Sequence, residues 1–246
     1  MAERTVTTKW GFILYDDALT NHAGEELFSP HHWVRHSSLR GAVGGRGNTW
    51  IVERGEQSWV LRHYRRGGLV RYVSRDYYLW RGLESTRPWR EWKLLAELYR
   101  EGLPVPQPVA AQVTLHGPAY RGDLITRLIP DTRSLAAHLQ DTRIEALPWN
   151  QIGICIRRFH NAGVYHADLN AHNILINSHN DVYLVDFDRG EQRSPSVRWQ
   201  EANLKRLLRS LRKLPVPDLT EDGYAWEALL GGYNNTPGVI NRAVRP

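Results

Sequence analysis

Cysteine is almost absent. Cys155 is the one thiol in 246 residues, so the chain forms no internal disulfide and no thiolate metal cage, and it reads as a protein of a reducing compartment. The thiol itself reads as a small buried apolar side chain. Long hydrophobic runs are missing too: the longest near the start covers residues 11–15, whereas a spanning helix needs about 20 apolar residues and an export signal needs a basic flank before its apolar core. The expectation is a chain without membrane-crossing or export segments. Repeats of solenoid length and low-complexity tracts are absent, which excludes arrays, collagen-like chains and disordered linkers. Lysine is scarce, with 4 against 28 arginines, so most cationic positions carry the planar fork of a guanidinium.

What remains is a chain with 41% hydrophobic and 24% charged residues, enough to bury a full core as one large domain or two lobes. The net charge of +6 is unevenly spread. Between Arg62 and Arg90 eight arginines face only Asp76 and Glu84, interleaved with Tyr64, Tyr72, Tyr77, Tyr78, Trp80 and Trp89. Guanidinium groups among amphipathic rings suit an anionic partner at a boundary between water and something less polar: a phosphorylated lipid, a nucleotide or a nucleic acid. His22, His31, His32 and His36 share no standard metal spacing and read as surface residues.

The order of elements is mixed α/β. Residues 1–40 show little pattern. Residues 41–48 form a glycine-rich loop, and residues 49–53 and 58–64 are β-prone runs that read as a hairpin. Apolar spacing over 88–100 predicts a helix that carries Glu91 in its first turn and stops at Gly102. Residues 109–115 and 123–129 read as strands, and the break at 130–133 sets an expected boundary between lobes at 1–130 and 131–246. A helix is expected over 149–162 with Gly163 behind it, then a hairpin from 173–176 and 182–185, an amphipathic helix over 197–214 and a last helix over 223–230.

The chemistry lies between the helix at 149–162 and Gly190. H-A-D-L-N-A-H-N (166–173) puts Asp168 and Asn173 on one loop, and D-F-D (186–188) puts Asp186 at the end of a strand one hairpin later. Three oxygen-bearing side chains can therefore converge. Hard cations such as Mg²⁺ take oxygen ligands, and phosphoryl transfer needs a carboxylate for the attacking hydroxyl's proton. The pattern resembles the protein-kinase signature, in which Asp168 matches the catalytic-loop Asp and Asn173 and Asp186 match the metal-binding pair. That resemblance implies a glycine loop over ATP, for which Gly45 and Gly47 stand before the hairpin, with Trp50 where a third glycine is usual. It also implies a strand cation held by a helix Glu. No lysine lies on the 58–64 strand, so Arg62 takes that place, with Glu91 as its partner. Asp188 stands where the signature has its last glycine. His166 reads as an organiser of the loop.

Only 56 residues follow Gly190, and no A-P-E segment is among them, so the expected acceptor is a small molecule or one group on a larger one. The segments L-R-H-Y-R-R-G-G-L-V (61–70), G-L-P-V-P-Q-P-V-A-A (102–111), 166–176 and D-F-D-R-G (186–190) resemble the 3-deoxy-D-manno-octulosonic acid (Kdo) kinases of the lipopolysaccharide branch of the kinase-like superfamily. The resemblance implies an α+β, two-lobed kinase-like fold, with an N-terminal antiparallel sheet and one main helix, and a smaller, mainly helical C-terminal lobe. It implies ATP and Mg²⁺ as cofactors and phosphorylation of the 4-hydroxyl of Kdo on Kdo-lipid IVA. The expected place is peripheral, at the cytoplasmic side of the inner membrane, with Arg65, Arg66, Arg71 and Arg75 toward the acceptor or anionic lipid and no nucleic-acid partner. The alternatives are a heptose, aminoglycoside or choline kinase of the same fold, or a non-catalytic binder of anionic lipid or nucleic acid.

Overall fold

Ahead of residue 40, where the sequence shows little pattern, a computed structural model places four regular elements: β1 (Glu3–Thr7), β2 (Gly11–Asp16), α1 (Pro30–Arg35) and β3 (Leu39–Ala42). The structure describes residues 1–36, 38–42, 49–65, 76–141, 147–214 and 223–236. β2 escapes an alternation rule because it is an interior strand, paired on one side with β1 and on the other with β7 (Pro108–His116), and its residues Ile13 to Asp16 are all buried. A strand covered on both faces reads as a continuous apolar run.

The chain divides into two compact units, Met1–Glu101 with Pro106–Ile129, and Gly102–Val105 with Pro130–Pro246. The first is built on an antiparallel sheet in the order β1-β2-β7-β8-β5-β4-β3. Here β4 (Thr49–Arg54) and β5 (Gln57–His63) are the expected hairpin, closed by Gly55 and Glu56, with Gly55 at φ +59° where side chains are disfavoured. β8 (Ala119–Arg127) starts four residues earlier than its apolar pattern predicts, because the tight turn at Gly117 and Pro118 lets pairing begin at His116 with Ala119. β6 (Tyr78–Leu79) adds to β8.

The helix α2 (Arg87–Arg100) has Pro88 in its first turn and buries Trp89, Trp92, Leu94, Leu95 and Leu98. Each large side chain taken out of water contributes on the order of 2 kcal/mol. Gly122 of β8 allows the helix this close, since a Cβ there would stand 2.6 Å from the Pro88 ring. A core of Ile13, Trp59, Leu61, Val109 and Ile125 fills one side of the sheet.

The second unit holds α3 (Leu135–Asp141), α4 (Trp149–Asn161), α5 (Val197–Leu211) and α6 (Tyr224–Asn235). A three-stranded antiparallel sheet runs β12-β11-β9, from β9 (Thr132–Ser134), β11 (Ile174–Asn177) and β12 (Val182–Leu184). β10 (Val164–Tyr165) pairs with β13 (Glu191–Gln192). α4 ends as its sequence predicts, with Gly163 at φ +74°. Cys155 on α4 is buried, which pushes its thiol up to about 12. Among the described residues no helix is long and apolar enough to cross a membrane.

Candidate active site

In the second unit the loop between β10 and β11 is held from several sides. The backbone carbonyl of Asp168 accepts hydrogen bonds from the side-chain amides of Asn170 and Asn173, both at 2.9 Å. The Asp168 N–H donates to Nδ1 of His166 at 3.2 Å, and His166 Nε2 lies 2.9 Å from the carbonyl of Val185. One imidazole nitrogen thus accepts and the other donates, which is the neutral ring. Burial holds the His166 pKa below its usual value, in agreement.

Val185 ties the loop to the D-F-D segment. Its N–H donates to the Asn173 carbonyl at 3.0 Å, so Asp186, the next residue, leaves the strand end beside Asn173. Asp186 sits at φ +63° and Arg189 at φ +59°, a backbone conformation that side chains other than those of glycine, Asn and Asp seldom adopt. Phe187 anchors the turn between them, with its ring 4.7 Å from the His166 ring and 5.7 Å from Phe159 of α4.

Beneath the loop lies a buried polar chain that no local pattern reveals. Asn203 of α5 donates to the His166 carbonyl at 2.8 Å and meets Nε2 of His160 at 3.3 Å, while His160 Nδ1 meets the Tyr233 hydroxyl at 2.8 Å. Gln200 donates to the His160 carbonyl at 3.1 Å. Burial lowers the His160 pKa to about 4, so its ring is neutral at ordinary pH. Residues from α4, α5 and α6 thereby set the height of the loop bearing Asp168. The Asp168 carboxylate points outward, with its side chain 51% exposed, and its Oδ1 accepts from Nε of Arg206 on α5 at 3.2 Å and from Nη2 of the same residue.

In the first unit Arg62 on β5 meets Glu91 on α2: Nη2 donates to Oε2 at 2.5 Å. α2 begins at Arg87, one residue earlier than expected, so Glu91 is its fifth residue and opens the second turn. Its side chain is 2% exposed, so the expected pair with Arg62 is a buried one. Tyr64, two residues from Arg62 on the same face of the strand, donates its hydroxyl to the same Glu91 oxygen at 2.5 Å. The Arg62 guanidinium lies 4.7 Å from the Tyr64 ring centre. Strand alternation places Tyr64 there; expected as one of the rings among the arginines, it is a buried partner of Glu91.

Next along β5, His63 contacts Asp123 at 2.7 Å and Asp76 at 3.4 Å. Burial alone would lower the His63 pKa, but the hydrogen bonds and charges of Asp123 and Asp76 outweigh it and raise the value. Of the remaining predicted residues, Arg65 is exposed, while Gly45, Gly47, Arg66, Arg71 and Arg75 lie outside the described residues.

The lipopolysaccharide kinase (Kdo/WaaP) family profile matches residues 31–233. A 3-deoxy-D-manno-octulosonic acid kinase of Stenotrophomonas maltophilia (strain R551-3) is 45% identical over 215 residues, which is 86% of this chain and 84% of that protein. One from Xanthomonas euvesicatoria pv. vesicatoria (strain 85-10) is 47% identical over 205 residues, covering 83% of this chain and 82% of its own. Among solved structures, that of WaaP in complex with acyl carrier protein aligns with a TM-score of 0.56 at 18% identity, over 95% of this chain and 90% of that one. The fold is accordingly the two-lobed α+β architecture of the protein kinases.

Proposed function

Because the chain belongs to the lipopolysaccharide kinase (Kdo/WaaP) family, we propose that it transfers the γ-phosphoryl group of ATP to the 4-hydroxyl of Kdo on Kdo-lipid IVA during lipopolysaccharide inner-core assembly. The observation that carries the chemistry is a pair of consecutive hydrogen bonds, from the Asn173 amide to the Asp168 carbonyl and from the Val185 N–H to the Asn173 carbonyl, which sets Asp186, the residue after Val185, beside the loop.

Asn173 uses its amide nitrogen on the Asp168 carbonyl, which turns its Oδ1 into the oxygen available to a cation. With the Asp186 carboxylate this is an all-oxygen donor set, the kind that fits Mg²⁺ bound through one or two side chains and substrate phosphates. Bound there, Mg²⁺ neutralises charge on the nucleotide phosphates. Asp168 accepts the proton of the attacking sugar hydroxyl, which it also orients. Arg62, steadied by Glu91 and Tyr64, serves the nucleotide phosphates, and the loop bearing Gly45 and Gly47 supplies backbone N–H groups to them. Arg65, Arg66, Arg71 and Arg75 serve acceptor phosphates or anionic lipid at the cytoplasmic side of the inner membrane, where the protein works as a peripheral enzyme.

Labelled ATP with Mg²⁺, offered Kdo-bearing lipid IVA beside free sugars, aminoglycosides and choline, tests the reading. Label is expected on the Kdo lipid alone. Asp168→Asn should lower turnover about 10²- to 10⁴-fold with nucleotide affinity retained. Label on another acceptor would discard the Kdo assignment, and an Asn variant at near full rate would remove Asp168 as the base.

A further inference from the structure

We infer that Arg206 selects the acceptor by its charge, binding a carboxylate on the sugar next to the hydroxyl that attacks. The inference rests on the kinase reading above and names the acceptor feature that this site recognises.

Arg206 comes from α5, 38 residues beyond Asp168, and applies one edge of its guanidinium, Nε and Nη2, to a single oxygen of that carboxylate. Stability does not explain the contact. Both side chains are solvent-accessible, at 43% and 51%, and exposed ion pairs contribute little to folding. The loop is already held by Asn170, Asn173, His166 and Asn203.

The way the pair is made leaves two positions available. A guanidinium is a planar group with five donors and more than one face for paired hydrogen bonds. Among the described residues the fork made by Nη1 and the second N–H of Nη2 of Arg206 has no partner, and neither has Oδ2 of Asp168. The first is a fork for a carboxylate; the second is a place for a hydroxyl proton. By ordinary hydrogen-bond lengths these positions lie roughly 5–7 Å apart. A sugar acid with its carboxylate on ring carbon 2 and its reacting hydroxyl on carbon 4 offers both groups within the width of one ring.

Basic residues predominate around Arg206 on α5. Lys205 and Arg209 are exposed beside Arg206, and Arg209 lies one turn along the same face of α5. Glu201 is the exposed acid on that helix. An anionic acceptor is drawn to this field, whereas an aminoglycoside or choline would bring its positive charge against Arg206. Arg206 therefore separates acceptors that the residues around ATP would treat alike.

The test compares a Kdo acceptor with the same acceptor carrying a primary amide in place of the carboxylate. Both are offered to the unaltered chain, to Arg206→Gln and to Arg206→Lys, with kcat/KM as the readout. The unaltered chain should prefer the carboxylate about 10- to 100-fold, the range of a charge-assisted paired hydrogen bond. Arg206→Gln should abolish that preference, and Arg206→Lys should restore part of it through charge without the fork. Equal losses on both acceptors in Arg206→Gln would show that the residue acts only through Asp168, which overturns the inference and leaves the kinase reading intact. Absence of preference in the unaltered chain overturns it likewise, even if the Gln variant does not fold. Failure of the unaltered chain to phosphorylate the carboxylate acceptor, with transfer to a neutral or cationic one, overturns both.

Discussion

Glu91 is a charged side chain enclosed in the packing between α2 and β5. The α2 helix carries charges along its length, yet Glu91 lies on the face turned to β5, where Arg62 and Tyr64 share one of its oxygens. Breaking a buried ion pair leaves an uncompensated charge, so Glu91→Gln should lower stability by about 3 kcal/mol. Tyr64→Phe removes one hydroxyl from the same carboxylate and should cost only about 1 kcal/mol. Urea unfolding of both variants checks this ordering; small and equal losses would mean that water already solvates the pair. At this scale Asp168, Asn173 and Asp186 are legible from spacing, because a loop and a hairpin keep them close in the chain. Arg206 is not legible, since on an amphipathic helix it is one of several arginines on the polar side. Its contact with Asp168 depends on where α5 packs.

The α4 and α6 helices decide how firmly the loop is supported. They meet through reciprocal glycines: a Cβ on Gly153 would stand 1.9 Å from the Leu229 carbonyl oxygen, and one on Gly232 would stand 2.0 Å from the Asn150 carbonyl oxygen. No side chain fits in either place without moving a backbone. Gly232→Ala should therefore cost at least about 2–3 kcal/mol despite its better helix propensity. Thermal unfolding would show it, and a stabilised variant would mean that the helices are free to part. His160 and Tyr233 bridge the same two helices, so the variant should also loosen the His166 end of the loop. Helical periodicity located both helices, with α6 running five residues past its expected end at 230. The glycines inside them, weak helix formers on propensity alone, explain why that pattern understated α6.

Across the whole molecule, three buried or half-buried histidines give the two units opposite responses to pH. His160 and His166, in the second unit, have folded pKa values held below 6.5 by burial, so the unfolded chain binds their protons more readily. Both contributions are full above pH 6.5 and are lost as pH falls through the folded values, which for His160 is about 4 and amounts to about 3 kcal/mol. His63, in the first unit, is raised above 6.5 by Asp123 and Asp76 against the effect of burial. Its contribution is full below pH 6.5 and is lost as pH rises through the folded value. Hydrogen exchange, corrected for intrinsic rates, should show α4 and α5 less protected at pH 5 than at pH 7, and β5 and β8 less protected at pH 8 than at pH 6. Matching trends in both units would contradict this assignment. The sequence alone determined the kinase-like class and the closeness of Asp168, Asn173 and Asp186, because spacing, turns and helical periodicity act between near neighbours along the chain. Tertiary structure decided the burial of Glu91, the Tyr64 contact, the polar support under His166 and the placement of Arg206 on Asp168. Those depend on which helix faces pack together, and that is settled by the exclusion of water from the whole core rather than by any short segment.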